Sequence, residues 1–403
     1  MRLLLIEPSP HGGLLHYLVQ LGDGLAARGH SVELLTARDN ELVDRARIAT
    51  MRPELPPLVK NTDAAPTGVR YRIRQAGVAA RLVRSWSRIL VATRTVGHDA
   101  VVTGADIGLL PAAAAAHLLT RLPSRPPLVR ISHNLRTPNR WGGDALLRDS
   151  PLLDQLLRAT GARFDLTLVP GERAKAAFEA RWTSPPRTAI VPHGDERLFA
   201  EEPPAPAAEE RILFFGEWRK VKGLPILMEA FYGLRGRRPD ARLTIAGSPF
   251  ASDTDPDVIR RWAAGHGGDV EVIDRYVPID DVAGIFARAR VVATPYLTGN
   301  QSGVVALAMT MGRAVVTSDV GELGVTVGDG EGGRVVAPGD AEGLAAALEE
   351  LIAQPELAAR YGASNRRRAL ESTSWEQAAL RLERALEPIV ADWPHSRRAP
   401  AAD

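Results

Sequence analysis

The chain has no cysteine in 403 residues. That excludes a disulfide framework, a thiolate zinc site and a cysteine nucleophile, and it fits a reducing compartment. Long hydrophobic runs are missing too. The opening MRLLLIEPSPHGG meets Glu7 after a short apolar run, so it reads as a first buried strand, not a signal peptide. No segment approaches the roughly 20 apolar residues that cross a bilayer. Excess charge is small, at a formal net of +2, which gives nucleic-acid binding no support. The first turn, EPSPHGGLLHY, lacks G-x-G-x-x-G, which counts against a dinucleotide oxidoreductase. The expected location is cytoplasmic.

What is present is alternation. RLLLIEP, SVELLTA, DAVVTG, PLVRISH, LTLVPG and TAIVPHG each read as a buried parallel strand with a turn after it. Helical spacing of Leu15, Leu18, Val19, Leu21 and Leu25 fills the first gap, and Gly29 suits its stop. AEEPPAPAAEE, residues 200–210, has no core pattern and reads as a linker. The alternation then restarts with RILFFGE, ARLTIAG, VEVIDRY, RVVATPY, RAVVTSD and GRVVAP. The expected fold is α/β, with two Rossmann-like doubly wound parallel-sheet domains. Their expected limits are 1–199 and 211–373. A last helix in 374–403, capped by Ser374 with Glu376 in its first turn, is expected to pack back toward the N-terminal domain, and the tail from Ala391 to fray.

In open α/β sheets, ligands bind beyond the carboxyl ends of the strands. Two such ends carry phosphate chemistry here. After ILFF comes GEWRKVKG, residues 216–223, where Gly216 permits a close turn and Arg219 and Lys222 supply a guanidinium and an ammonium. A solvated basic loop would read the same way. After RVVATPY comes LTGNQSG, and a helix is expected to begin near Ser302 and Gly303. Its free amides and dipole favour an anion, Ser302 adds a hydroxyl or a cap, and Gly303 lets backbone approach.

The second half resembles the donor domain of a GT-B glycosyltransferase of the retaining family-4 type. The likeness rests on FFGEWRKVKGLPILMEAF, RLTIAGSP, YVPIDDVAGIFARARVVATPY, QSGVVALAMTMGRAVVTSDVGEL and GGRVVAPGDAEGLAAALEELI. HGGLLHYLVQLGDGLAARGHSVELLT and VPHGDERLF match the usual acceptor-domain pattern, so the resemblance spans nearly the whole chain. It implies transfer of a sugar from a nucleoside diphosphate, such as UDP or GDP, to an acceptor, with anomeric configuration retained and a leaving phosphate oxygen taking the acceptor proton. No cofactor and no metal are expected, the donor being a co-substrate. Arg219 and Lys222 then hold the diphosphate. Ser302, Gly303 and Val304 donate to the phosphates or sugar, and Gly12 and Gly13 form the glycine turn that approaches the donor. His133 corresponds to the histidine near the transferred sugar, binding a donor hydroxyl or orienting the acceptor, with Asn134, Arg136 and Arg140 beside it. The base falls against backbone around Tyr276 and Val277.

One departure stands out. Many family-4 enzymes carry two glutamates at the last site, one touching the sugar and one the ribose hydroxyls. Counted back from Gly312, those positions are Gly299 and Leu307. The chain resembles a subgroup lacking that pair, and Asn300, Gln301 or Glu322 are the candidates to replace it. A catalytically silent GT-B nucleotide-binding or partner protein is the alternative that the loss suggests; retention of Arg219 and Lys222 argues against it.

From Ala64 to His98 there is no acid but seven arginines: Arg70, Arg72, Arg74, Arg81, Arg84, Arg88 and Arg94. Over 76–96, Val78, Leu82, Trp86, Ile89 and Leu90 share one helical face, and Arg81, Arg84 and Arg88 the opposite one. Such a helix suits a sheet-packed, solvated element. It equally suits a surface for anionic lipid at the inner membrane face, or for a small-molecule or lipid-linked acceptor bearing phosphate. Richness in Ala, Arg and Pro points to a GC-rich bacterial genome, with a role in glycan or secondary-metabolite synthesis.

Overall fold

A computed structural model of the chain describes residues 1–45, 47–56, 97–104, 117–122, 125–132, 159–180, 185–205, 209–250 and 254–393, with 80, 84, 87, 88 and 91 besides. Contacts divide these residues into two compact units. Asp195–Ser374 form one; the described residues up to Gly194, together with those from Trp375 onward, form the other.

The first unit is a seven-stranded parallel sheet. Its strands are β1 (Arg2–Glu7), β2 (Ser31–Ala37), β3 (Thr50–Leu55), β4 (Ala100–Thr103), β5 (Leu128–Ile131), β6 (Leu166–Val169) and β7 (Thr188–Ile190), in the order β3-β2-β1-β4-β5-β6-β7. Leu3, Leu4, Leu5 and Ile6 are fully buried, as a central strand covered on both faces requires. Six strands coincide with the apolar runs read above. β3, TMRPEL, was not among them: it is an edge strand, and Arg52, Pro53 and Glu54 suit an edge, where Pro costs no ladder bond. Helices α1 (Gly13–Ala27) and α2 (Glu172–Glu179) follow β1 and β6.

The second unit is a six-stranded parallel sheet, β8 (Arg211–Phe215), β9 (Arg242–Ala246), β10 (Val270–Ile273), β11 (Val291–Thr294), β12 (Ala314–Ser318) and β13 (Gly333–Val336), ordered β10-β9-β8-β11-β12-β13. All six were legible as apolar runs. Alternate residues take opposite faces, the period-2 rule of a strand. Ile212, Phe214, Leu243, Ile245, Val291, Ala293, Ala314 and Val316 pack on one side. That side is covered by α3 (Leu224–Arg235), α4 (Pro256–Ala264), α8 (Ala341–Ala353) and the first turns of α9 (Pro355–Glu371). Leu213, Ala246, Val292 and Val315 pack on the other, under α5 (Ile279–Ala287), α6 (Gly303–Thr310) and α7 (Leu323–Val327).

The segment expected to link the domains is held against the second unit by its carbonyls, which is why it shows no apolar pattern. Arg313 donates to the carbonyls of Pro204 at 3.0 Å and Ala205 at 2.7 Å, and Arg366 to that of Glu201 at 2.7 Å. Burial pushes the Arg313 guanidinium down to about 10, which leaves it charged at neutral pH. The last helix, α10 (Trp375–Ala391), lies with the first unit. The Trp375 ring meets Tyr17 edge-on at 4.9 Å and His193 at 5.5 Å, and Arg28 donates to Glu383 at 2.5 Å. Of the tail expected to fray, Ala391, Asp392 and Trp393 are described, and Trp393 Nε1 donates to the Arg125 carbonyl at 3.0 Å; the remainder lies outside the described residues.

Among the described residues no helix is long and apolar enough to cross a membrane. Of the basic segment 76–96, only Ala80, Arg84, Ser87, Arg88 and Val91 are described, all helical; the amphipathic reading otherwise lies outside the described residues.

Fully buried Asn365 offers a test of the second core. Its amide donates to the carbonyls of Arg313 at 2.9 Å and Gly332 at 2.7 Å. Asn365→Ala strands both acceptors, and a loss of about 2–4 kcal/mol is expected. It should appear as a lower urea midpoint with unchanged slope; an unaltered midpoint would contradict this account.

Candidate donor-binding site

In the second sheet the strand order reverses between β8 and β11, the place where open α/β sheets form a ligand crevice beyond the carboxyl ends of the strands. The loops leaving both strands are interlocked. Gly223 ends the short turn Lys220–Lys222 at φ +70°, and a Cβ there would lie 1.8 Å from the Pro295 carbonyl oxygen, so only glycine fits. The Leu297 amide donates to the Val221 carbonyl at 2.9 Å. On the other flank, the Trp218 amide donates to the Ser248 carbonyl at 2.8 Å, fixing the loop against the turn after β9. A further tie joins the loops after β11 and β12, where the Glu322 amide donates to the Asn300 carbonyl at 2.9 Å.

These ties decide where the predicted side chains go. Lys222 Nζ donates to the Tyr296 hydroxyl at 2.7 Å and lies 3.9 Å from the centroid of that ring. The Tyr296 oxygen is 3.0 Å from Ser302 Oγ, which in turn accepts from the Val305 amide at 3.3 Å. Ser302 is thus the N-cap of α6, and the basic loop reaches the helix N-terminus through one tyrosine. Arg219 is buried beside other neighbours. Its guanidinium lies 4.0 Å over the Phe250 ring, with Nη1 3.5 Å from Glu217. Both cations therefore rest on aromatic faces, an arrangement worth about 0.5–2 kcal/mol each. Gly303 and Val304 form the first turn of α6, and Val304 comes within 3.3 Å of a Cβ built on Gly216.

Other predicted residues are placed as follows. Tyr276 is exposed beyond β10, while the Val277 side chain is buried in the core, which leaves backbone and ring as what this turn presents. Asn300 and Gln301 are half-buried in the loop before Ser302. In the first unit, Gly12 takes φ +87° before α1, and its amide donates to Glu41 Oε1 at 2.7 Å. The same oxygen is 2.7 Å from His16 Nε2, which makes His16 structural, as its place in the helix suggests. The Gly12 amide is therefore engaged by the protein. Gly13 opens the helix with nothing within 4 Å of a Cβ built on it. His133, Asn134, Arg136 and Arg140 lie outside the described residues. No cluster of three or more metal-ligating side chains occurs among the described residues.

The sequence matches the family description Glycosyltransferase Family 4 over residues 11–194 and Glycosyl transferases group 1 over residues 209–354. The chain belongs to the family-4 GT-B glycosyltransferases. Among curated relatives it resembles, phosphatidyl-myo-inositol mannosyltransferase of Mycolicibacterium smegmatis is 30% identical over 207 residues, 49% of this chain and 51% of that protein. D-inositol 3-phosphate glycosyltransferase of Streptomyces griseus is 26% identical over 432 residues, 97% of this chain and 87% of that protein. The chain spans about half the length of the first curated relatives it matches, between 46% and 51%. The solved structure of Anabaena Alr3699/HepE in complex with UDP-glucose shares the fold, with a TM-score of 0.70 over 96% of this chain and 100% of that one at 16% identity.

Against the family-4 pattern, the absent glutamates have different structural settings. Leu307 is 3% exposed, packed in the same core as Leu213, Val292 and Val315. A carboxylate there would be buried without a partner. Gly299 has room, since a Cβ on it would meet only Tyr296 at 3.7 Å. Leu307→Glu is therefore expected to lower stability by at least about 3 kcal/mol, and Gly299→Glu to leave it nearly unchanged. Thermal melts of the two variants check this; a stable Leu307→Glu protein would show that position 307 faces the crevice.

Proposed function

We propose that the chain transfers a sugar from a nucleoside-diphosphate sugar to an acceptor, with retention at the anomeric carbon. The observation that carries this reading is the joining of Lys222, through Tyr296, to the N-cap of α6 at the strand-order reversal. A diphosphate leaving group gains charge as the glycosidic bond breaks. An ammonium, a guanidinium and free helix amides stabilise that charge more in the transition state than in the ground state. The bond between anomeric carbon and phosphate oxygen breaks with its electron pair going to the phosphate. The acceptor oxygen bonds to the carbon on the same face, and its proton passes to a phosphate oxygen of the leaving group. Lys222 and Arg219 are the groups we assign to the leaving diphosphate, and His133 to the sugar or acceptor. Of the candidates to replace the missing carboxylates, Glu322 supplies the acceptor oxygens a ribose diol needs, on a loop tied to Asn300.

Relatives named for phosphatidyl-myo-inositol and inositol 3-phosphate support an acceptor bearing phosphate, free or lipid-linked. The arginine-rich segment 64–98 suits such an anion. Peripheral contact of that segment with an anionic membrane belongs to the same proposal.

A thermal-shift panel of UDP, GDP and ADP tests the site. One of them is expected to stabilise the protein, by about 2.7 kcal/mol at a hundredfold excess over Kd, and Arg219→Ala should abolish most of the shift. With the matching diphospho-sugar and an inositol phosphate or phosphatidylinositol acceptor, transfer should proceed at an unchanged rate in excess chelator. Binding of a diphosphate without donor turnover would instead establish the silent-protein alternative.

A further inference from the structure

We propose that Tyr296 is a positioning residue that sets the direction of a chain of hydrogen bonds, from Lys222 through Tyr296 to Ser302, so that the Ser302 hydroxyl hydrogen is offered to the donor diphosphate. This rests on the nucleotide-sugar reading of the site.

The direction follows from counting donors and acceptors. An ammonium has three hydrogens and no acceptor, so in the 2.7 Å contact Lys222 donates and the Tyr296 oxygen accepts. Tyr296 is 2% exposed, so its own hydrogen must find an acceptor inside the protein. Among the described residues the acceptor within reach is Ser302 Oγ at 3.0 Å. The opposite order, with Ser302 donating, would strand a buried hydroxyl hydrogen on Tyr296 at a cost of about 1–3 kcal/mol. Ser302 Oγ then accepts twice, from Tyr296 and from the Val305 amide at 3.3 Å. Both lone pairs are used, and what remains to it is one hydrogen to donate.

That hydrogen sits at the N-terminus of α6, beside the unsatisfied amides of the first turn. A hydroxyl that merely caps a helix can rotate and accept from outside; one locked as a double acceptor can only donate outward. The site is therefore selective for an acceptor group such as a phosphate oxygen. The ammonium also polarises the phenol and, through it, the serine. Lys222 keeps two further hydrogens for the ligand itself. Sequence reading saw Lys222 and Ser302 as independent phosphate groups. The structure makes them two ends of one relay, with a tyrosine between that had been read only as the end of a strand.

The test is a double-mutant cycle on binding. The probe is whichever of UDP, GDP and ADP stabilises the wild-type protein, compared with its monophosphate by calorimetry. Tyr296→Phe keeps the ring beneath Lys222 and removes only the oxygen. It should weaken the diphosphate about fivefold or more, on the scale of one hydrogen bond, and the monophosphate less. Ser302→Ala should do the same, Ser302→Thr should restore binding, and the double variant Tyr296→Phe/Ser302→Ala should be no weaker than the weaker single. Multiplying effects, equal losses for mono- and diphosphate, or wild-type affinity in Tyr296→Phe would overturn the relay while leaving the functional reading standing. Should the wild-type protein bind none of the three diphosphates, that reading fails and the relay with it. If Tyr296→Phe does not fold, the cycle between Lys222→Met and Ser302→Ala reads the same coupling, and additivity there overturns the relay.

Discussion

Parallel strands all run one way, so the turns that leave them gather at one end of the sheet. In the second unit the order of those strands reverses between β8 and β11. Helices after β8 and after β11 must then fall on opposite faces, and the two departing loops would separate. Here they do not, because Gly223 lets the backbone of one press onto Pro295 of the other, and the Leu297 amide closes the contact. The position of Lys222 relative to Ser302 depends on that single close approach of backbone to backbone. Without it the ammonium and the helix cap would be chemistry on two unrelated loops.

Much of this was legible beforehand. The second sheet was read strand for strand because its four central strands are almost wholly buried, and its edge strands β10 and β13 still carry short runs of valine and isoleucine. β3 escaped because an edge strand faces water and tolerates Arg52, Pro53 and Glu54. Of the site, the glycines and cations of 216–223 and the small polar residues before α6 were visible, since their chemistry is local. Tyr296 was not recognised as functional: a tyrosine after a proline at a strand end looks like core, and only the fold brings Lys222, 74 residues earlier, to its oxygen. Glu41 was missed for the same reason. It lies 29 residues from the Gly12 amide that it holds, in a loop with several other acids and no spacing signal.

The absent glutamates look different in three dimensions than in a row of letters. Counting residues marks Gly299 and Leu307 as two losses of the same kind. Yet the leucine is part of the hydrophobic layer beneath α6, where its side chain stabilises the helix by about 1.5–3 kcal/mol. The glycine is a vacancy beside a tyrosine ring. In mid-span the helix seats on the sheet through an apolar residue, and its first turn carries the serine and glycine that the proposed function assigns to the diphosphate. In the proposed function, sugar and ribose recognition falls to the loops at 299–302 and 319–322, which are tied backbone to backbone.

Helix α10 carries a consequence for biosynthesis. Its Trp375 packs on both Tyr17 and His193 in the first unit, whose rings also meet each other at 5.4 Å, although more than half the chain separates it from Tyr17. As the polypeptide emerges from the ribosome, the second unit has all its strands before the first has this helix. The lobe that starts first is thus completed last. Until it is, the ring faces of Tyr17 and His193 that Trp375 covers have no such cover.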